Sequence, residues 1–528
     1  PQYTTYRINR MEKQAWFVWA TMAFAVVVYY QLTTRRHRGK QGRSPPGPRP
    51  LPLVGNMLDL RGNNLHHTLA RLAGTHGPVM MLKLGLTTAV VVSSRDAAKE
   101  AYTKHDRHLA ARAVPDAATA VGYAKRSMVW LPSSDPLWKT LRGTLASGIF
   151  SPRGLAAARG VHERKVRDIV AYFRCRAGQE VDVGQALYGG ALNLVSSALV
   201  SVDLVDVGAD ESAHGLKGIV EDLVAAISKP NVSDLFPFLR PLDLQGWRRW
   251  AKGHYDKIFG ILGSIVDTRL ADDDYATADG KQQQQQQGGD FLDSLLDLVS
   301  AGKISRDIVV TMLFDVFTAG SEAVAVTVEW AIAELLRNPR IMAKVRAEMA
   351  QVLGRKQDAV EELDAANLPY LQAVVKEAMR LHPVAPIMLP HQAVAEGVEL
   401  GGYAVPKGST VIFNAWAIMR DPQVWERPDE FVPERWFMFM DMAAAEKVVV
   451  EFHGKDFQFI PFGSGRRICP GLPMAERVVP FILASLLHTF EWRLPHGVSA
   501  DGFEVTEKFS YVNTLAIPLK AVPVVIVV

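Results

Sequence analysis

Cys469 is one of only two cysteines in the chain, and it sits in the run FGSGRRICPG, residues 462–471. The apolar residues that follow recur at helical spacing from about Met474 to Phe490, which places the thiol just ahead of a helix N-terminus. The partial positive charge there favours thiolate over thiol. Gly463, Gly465 and Gly471 permit tight turns and let backbone N–H groups approach the sulfur or a flat ligand. Arg466 and Arg467 add positive charge, and arginine matches the geometry of a carboxylate. A thiolate beside carboxylate-binding arginine, framed by glycines, fits axial ligation of a haem iron. The competing account is a buried structural cysteine, the usual fate of a free thiol. The pattern F-x-x-G-x-R-x-C-x-G decides for haem, being matched at Phe462, Gly465, Arg467, Cys469 and Gly471.

The elements that must hold this loop are mostly helical. From about Arg95 to Glu362 helical patterns dominate, and a long helix is expected from Ser305 to Leu336, stopped by Asn338-Pro339. Gly77 to Ser94 contains two β-rich runs split at Gly85, a hairpin pattern; strand signals return between Gly397 and Phe413 and near the C-terminus. The tract Lys281 to Gly289 is low in complexity and reads as a surface loop. No internal repeat and no long linker divides the chain after Pro52, so residues 53–528 read as one unit, mostly α with small β-sheets. Hydrophobic residues make up 48% and charged residues 22%, a globular balance. The 59 basic residues barely exceed the 55 acidic ones, so no nucleic-acid partner is expected. Two cysteines exclude a disulfide framework and a cysteine-rich zinc site.

The N-terminal part has a separate logic. After a flank at 1–13, in which Met11 is the expected start, residues 14–34 carry no charge. As a helix they span roughly 32 Å, enough to cross a bilayer. Trp16, Trp19, Tyr29 and Tyr30 lie near the ends, as interfacial aromatics do, and five basic residues between Arg35 and Arg43 keep the remainder cytosolic. A cleaved signal peptide would not need so long an apolar run followed by a basic stop. Residues 35–52 read as a basic and proline-rich linker whose Pro45 to Pro52 stretch forms a stiff spacer.

At these motifs the chain resembles the cytochrome P450 family of haem-thiolate monooxygenases, in particular the plant microsomal kind. The resemblance runs from the anchor to near the C-terminus. LPYLQAVVKEAMRLHP supplies E-x-x-R as Glu377 and Arg380, on one helix face, and FVPERW supplies Arg435. The resemblance implies that these three form a buried ion network behind the haem. WKTLR resembles the family's W-x-x-x-R helix, giving Trp138 and Arg142. Arg142, Arg467 and His391 are then expected at the haem propionates. On the distal side the resemblance gives Ala319-Gly320 room for dioxygen and substrate and makes Glu322 the family's acid. The next family position usually holds a hydroxyl, but here it is Ala323, which puts proton delivery in question.

The resemblance further implies haem b (iron protoporphyrin IX), dioxygen, an NADPH-cytochrome P450 reductase and a single N-terminal transmembrane helix in the endoplasmic reticulum membrane. Basic residues on the proximal face would steer the acidic reductase. The substrate implied is a small hydrophobic plant metabolite, a mono- or diterpenoid; an alkaloid or phenolic oxidase is the nearest alternative. Two other classes stay open, a reductase-independent haem-thiolate isomerase or dehydratase and an inactive haem-binding protein. By resemblance the substrate is met by Ala113 to Val129, Asp222 to Ser228, Phe317 to Val324, Val384 to Leu389 and Ser510 to Asn513, mostly small and aliphatic side chains. The sequon at Asn231 would go unused in a cytosolic body.

Overall fold

The computed structural model describes residues 43–526, apart from 63, 208–209, 279–288, 355–358, 439–451, 453 and 501. The expected membrane span at 14–34, its flank at 1–13, the linker residues 35–42 and the glutamine tract lie outside the described residues.

Twelve longer helices carry the fold: α1 (Leu65–His76), α2 (Arg95–Lys104), α3 (Pro136–Ser147), α4 (Pro152–Cys175), α5 (Val183–Val200), α6 (Asp210–Ser228), α7 (Trp247–Ala278), α8 (Phe291–Ser300), α9 (Arg306–Arg337), α10 (Pro339–Leu353), α11 (Pro369–Leu381) and α12 (Leu472–Thr489). Their ends follow local chemistry. Asp135 and Ser151 accept from the first-turn N–H groups of α3 and α4, and each of these helices has proline in its first turn, where no donor is lost. Asp290 and Asp293 make a reciprocal capping box on α8. Ser305 precedes α9 and Asn338-Pro339 ends it, within a residue of the expected limits.

The strands are short: β1 (Val79–Leu84), β2 (Thr87–Val92), β3 (Ala111–Arg112), β4 (Val181–Asp182), β5 (His391–Gln392), β6 (Val398–Leu400), β7 (Tyr403–Val405), β8 (Thr410–Phe413), β9 (Phe490–Arg493), β10 (Glu507–Phe509), β11 (Asn513–Leu515) and β12 (Lys520–Val525). β1 and β2 form the hairpin expected around Gly85. They continue into a five-stranded sheet in the order β1-β2-β8-β5-β3, with β2 and β8 parallel. This sheet matters to the site because β3 and β5 set Arg112 directly opposite His391.

At the centre α9 packs against α5, α7, α11 and α12. Among the described residues α5 and α9 are long and apolar enough to cross a membrane, but both are largely buried inside the fold. Their apolar character is that of core helices.

The proline-rich stretch differs from its reading as a spacer. From residue 43 onward it is bonded to the body: Ala404 N–H donates to Arg43 O (3.0 Å), Met81 N–H to Pro46 O (2.7 Å) and Asn56 Nδ2 to Pro48 O (3.1 Å). Prolines donate no hydrogen bond, but their carbonyls accept, and these run along β1 and β7. Asn231 of the sequon is buried and its side chain accepts from Ser233 N–H (2.9 Å), so it serves as a helix cap.

Candidate active site

Cys469 lies half-buried between Phe462 and α12. Its N–H donates to Phe462 O (2.9 Å), closing the loop on itself. Gly465 has φ 64°, and a Cβ there would come within 2.3 Å of Asp106 Oδ1. That carboxylate is already engaged with Arg466, accepting from its N–H (3.1 Å) and Nε (3.1 Å), so only glycine lets the loop close over it.

The thiol itself departs from the expected direction. Burial pushes its pKa up, while the Gly471 N–H, the Arg142 charge and the Leu472 N–H pull it back. Helix N-terminus and backbone donors are present as anticipated, but desolvation outweighs them. A buried thiol of this kind gives up its proton when a metal cation replaces it.

Around the loop stand three arginines. Arg142 donates from Nη2 to Ile468 O (2.6 Å). Arg467 donates from Nε to Ala110 O (2.7 Å), from Nη1 to Met128 O (3.2 Å) and from Nη2 to Leu131 O, and its guanidinium lies over Trp138, 5.0 Å from the ring centroid. Arg112 donates to Leu389 O, and its Nε has no partner. Burial, followed by the repulsion of Arg112 and Arg142, brings Arg467 down to about 9; burial brings Arg112 down to about 10. His391 is buried and donates from Nδ1 to Leu109 O (2.7 Å). Burial and then the two flanking arginines hold it well below its ordinary value. Among the described residues no carboxylate pairs with Arg112, Arg142 or Arg467. The indole N–H groups of Trp130 and Trp138 are also buried without acceptors. Cations drawn half out of water and orphaned donors are costly unless an anion meets them. A ligand with two carboxylates beside a thiol-binding metal fits this set, as haem does. Arg112 was absent from the sequence reading; only the β3–β5 pairing reveals it.

On α9, Ala319 is the one exposed residue between 308 and 336, flanked by half-buried Val316, Thr318, Gly320, Glu322 and Ala323. Val316, Ala319 and Ala323 share one face, a narrow apolar strip that is half-buried at its ends and exposed at Ala319. Gly320 does not open on that strip. A Cβ there would point at Val195 of α5, 3.3 Å away, so the glycine also keeps the spacing of two core helices. Glu322 turns toward Glu221 and Lys217 of α6; burial, then Glu221, pushes its carboxyl up to about 7. The neighbouring hydroxyls are committed to the helix: Ser321 Oγ donates to Phe317 O (2.6 Å) and Thr327 Oγ1 to Ala323 O (2.7 Å).

Glu377, Arg380 and Arg435 meet away from this strip, all buried. Glu377 Oε1 accepts from Arg380 Nη2 (2.9 Å), Arg435 Nε (3.0 Å) and Val432 N–H (3.0 Å). Its Oε2 accepts from Arg380 Nε (3.0 Å) and from the Trp436 indole (3.0 Å). Arg380 places its remaining donors on the carbonyls of Met419, Pro428 and Glu430, using all five. Trp436 and this carbonyl cage are new to the set, although Trp436 stands beside Arg435 in the sequence.

The substrate stretches also converge in part. Asn513 N–H donates to Val384 O (2.9 Å) and Ala113 N–H to Pro390 O (3.3 Å). The 3-10 segment Asp116–Lys125 touches α6 and α7. It is fastened to α9 by fully buried Asp315, which accepts from Tyr123 OH (2.6 Å), Ser127 Oγ (2.8 Å) and Met128 N–H (3.0 Å). Burial brings the Asp315 carboxyl up to about 6. Nothing in the spacing of the sequence links Asp315 to Tyr123.

Comparison with known proteins gives a consistent set of relatives. The family described as Cytochrome P450 matches residues 45–514. The protein called Cytochrome P450 76M5 of Oryza sativa subsp. japonica is 61% identical, across 97% of this chain and 99% of its own length. Oryzalexin D synthase of the same organism is 58% identical across 97% and 99%. Geraniol 8-hydroxylase of Catharanthus roseus is 41% identical across 95% and 98%.

Proposed function

The chain belongs to the cytochrome P450 family, whose members carry a haem iron and act as monooxygenases, and from that premise we propose that it hydroxylates a mono- or diterpenoid at the site built around Cys469. The observation that carries the reading is the set of half-buried cations, Arg112, Arg142 and Arg467, left without an anion among the described residues beside a cysteine thiol. The names of its relatives, an oryzalexin synthase and a geraniol hydroxylase, favour the terpenoid class.

When bound, haem b supplies the oxidation, activating dioxygen with electrons delivered one at a time and inserting one oxygen atom into a C–H bond. The chain supplies the rest. Cys469 would hold the iron through its sulfur, and Arg112, Arg142, Arg467 and Trp138 would hold the two carboxylates; His391, whose Nδ1 proton is spent on Leu109 O, would join them only once a carboxylate's charge protonated its Nε2. Val316, Ala319 and Ala323 leave an apolar wall on which a hydrocarbon skeleton can lie close, and a terpenoid offers few polar atoms to be left unpaired there. Asp315 keeps the segment from Asp116 to Met128 in place as a second wall. Electrons would come from NADPH through an NADPH-cytochrome P450 reductase. The test is an assay with that reductase in membranes against mono- and diterpene hydrocarbons and alcohols. NADPH-dependent hydroxylated product is expected. Turnover indifferent to NADPH would instead mark an isomerase or dehydratase, and a thiolate-type carbonyl spectrum without any turnover an inactive haem protein.

Ala323 shapes the proton supply. A general acid must stand within hydrogen-bond reach, and alanine offers no donor. Thr327 lies one turn further on and spends its proton on Ala323 O. Glu322, titrating near neutrality, holds a proton that it can release, but it lies on the α6 side and needs water to carry the proton across. We therefore expect a hydrocarbon substrate to be oxidised with poor coupling, and a substrate with its own hydroxyl near the reacting carbon to couple better. Ala323→Thr should raise product per NADPH on the hydrocarbon by roughly two- to tenfold, below the ~100- to 10,000-fold of a positioned acid because coupling, not the bond-breaking rate, is what changes. NADPH consumed, hydrogen peroxide released and product formed are measured together. Tight coupling in the parent, unchanged by threonine, would refute the role given to this position.

Residues 14–34 are proposed as the anchor in the endoplasmic reticulum membrane, with the body cytosolic. Because residues 43–56 are bonded to the sheet, the clean cut lies before them. Deleting residues 1–42 should move the protein into the soluble fraction with haem retained and its melting temperature unchanged within about 2 °C, the shift of roughly 2 kcal/mol in a body of this size. Continued sedimentation with membranes would refute this assignment of the anchor.

A further inference from the structure

Away from the Cys469 loop, the first turn of α1 meets β10 at a cluster of three ligand-capable side chains. His66 Nε2 lies 3.0 Å and His67 Nε2 2.9 Å from the same oxygen, Glu507 Oε2. All three ligand atoms fall within 4.8 Å of one another. We propose that His66, His67 and Glu507 form a binding site for a divalent transition cation of the zinc type, with its fourth position open to solvent.

Three observations support the site. The first is geometric. A tetrahedral zinc ion with bonds of ~2.0–2.1 Å holds its ligand atoms about 3.3 Å apart. The two nitrogen–oxygen separations need to widen by only a few tenths of an ångström, the two nitrogens lie within 4.8 Å of each other, and the exposed ring of His67 can turn to adjust the second distance. Two imidazoles and one carboxylate are also a donor set that zinc accepts while keeping a water.

The second is the support behind the carboxylate. Glu507 Oε1 is held by His382 Nδ1 (3.1 Å), whose Nε2 is held by Glu334 Oε1 (2.8 Å). The His382 ring lies flat on Trp330, with centroids 3.8 Å apart and planes 3° apart. This chain fixes one carboxylate oxygen and leaves the other aimed at the two histidines, which is the arrangement that orients a metal ligand. The ring of His66 is held instead by packing, edge-on to Phe509 with centroids 5.2 Å apart; its Nδ1 is buried without a partner and would carry the ring proton once Nε2 ligates.

The third is access. The cluster borders a cleft of about 550 Å³ whose walls include His67, Glu507, Asn64, Trp416 and Arg420, giving an ion a path in and a place for a fourth ligand.

A bound ion would clamp α1 to the C-terminal hairpin of β10 and β11. The experiment uses the full-length, haem-loaded protein stripped with a chelator, titrated with zinc chloride by calorimetry, and melted with and without zinc. One equivalent should bind and raise the melting temperature. His67→Ala, which removes an exposed ring whose polar contact is to Glu507, should weaken that binding at least tenfold and abolish the zinc-dependent shift. It should leave the melting temperature of the stripped protein unchanged. Glu507→Gln should do the same, but Glu507 also joins three elements, so His67→Ala decides. Equal zinc affinity in parent and His67→Ala, or no saturable binding in the parent, would overturn the site.

Discussion

Cys469→Ser should give a folded chain that has lost the thiolate-type carbon monoxide spectrum and, with it, all measurable hydroxylation. The loop is closed by main-chain bonds, Cys469 N–H to Phe462 O (2.9 Å) and Ile468 N–H to Gly465 O (3.2 Å), and serine preserves both. Stability should therefore change by no more than about 1 kcal/mol, as for a substitution that alters neither backbone nor cavity greatly. The chemistry changes far more. Burial already raises the thiol against its ordinary value, so ionisation here depends on a metal cation displacing the proton. A serine hydroxyl is a much weaker acid and a harder donor than sulfur, and cannot push electron density to the iron as a thiolate does. Spectrum and melting temperature together separate loss of the ligand from loss of the fold. A retained thiolate-type band with retained turnover would refute the assignment of Cys469.

Why some of this could be read from the chain and some could not is a matter of range. The limits of α9 follow from Ser305, Asp307 and Asn338-Pro339, all within a turn of the ends they set. The β1–β2 hairpin and the start of α12 are equally local. The cysteine loop was legible because its glycines and Cys469 lie within ten residues. The contact of Gly320 with α5 was not legible, because the direction of an absent side chain depends on where α5 lies, and Val195 is far away in sequence. Arg112 was missed for a similar reason: it becomes a partner of His391 only when β3 pairs with β5. The proline-rich segment carries a strong local signal against helix, and that signal says nothing about whether its carbonyls find donors on β1. The sign of the Cys469 shift was misread because burial is a property of the whole fold, whereas the helix N-terminus is visible in a few residues.

The ion network behind the site joins both ranges, and it yields the largest stability effect expected. Glu377 and Arg380 are three residues apart on α11, a pairing the sequence displays, yet the five bonds converging on Glu377 bring in Val432, Arg435 and Trp436 from another segment. The set holds one carboxylate and two guanidinium groups, all buried, with backbone carbonyls from Met419 to Glu430 absorbing the excess donors. Glu377→Ala would strand both arginines and the Trp436 N–H in the interior. Removing one partner of a buried pair costs about 3–5 kcal/mol, a large part of the 5–15 kcal/mol that holds a typical protein folded. Haem-loaded protein should fall to a small fraction of the parent yield, with denaturant midpoints shifted to match. Trp436→Phe removes one donor and leaves the ion pairs, so about 1–2 kcal/mol is expected. The double variant Glu377→Ala with Arg380→Ala should cost less than the sum of its parts, because the second change removes a charge that the first left unpaired. Unfolding in denaturant measures the parent, Glu377→Ala, Arg380→Ala, their double variant and Trp436→Phe. A Glu377→Ala protein within about 1 kcal/mol of the parent would mean that the carbonyl cage alone sustains the two arginines, and that the carboxylate is dispensable to the fold.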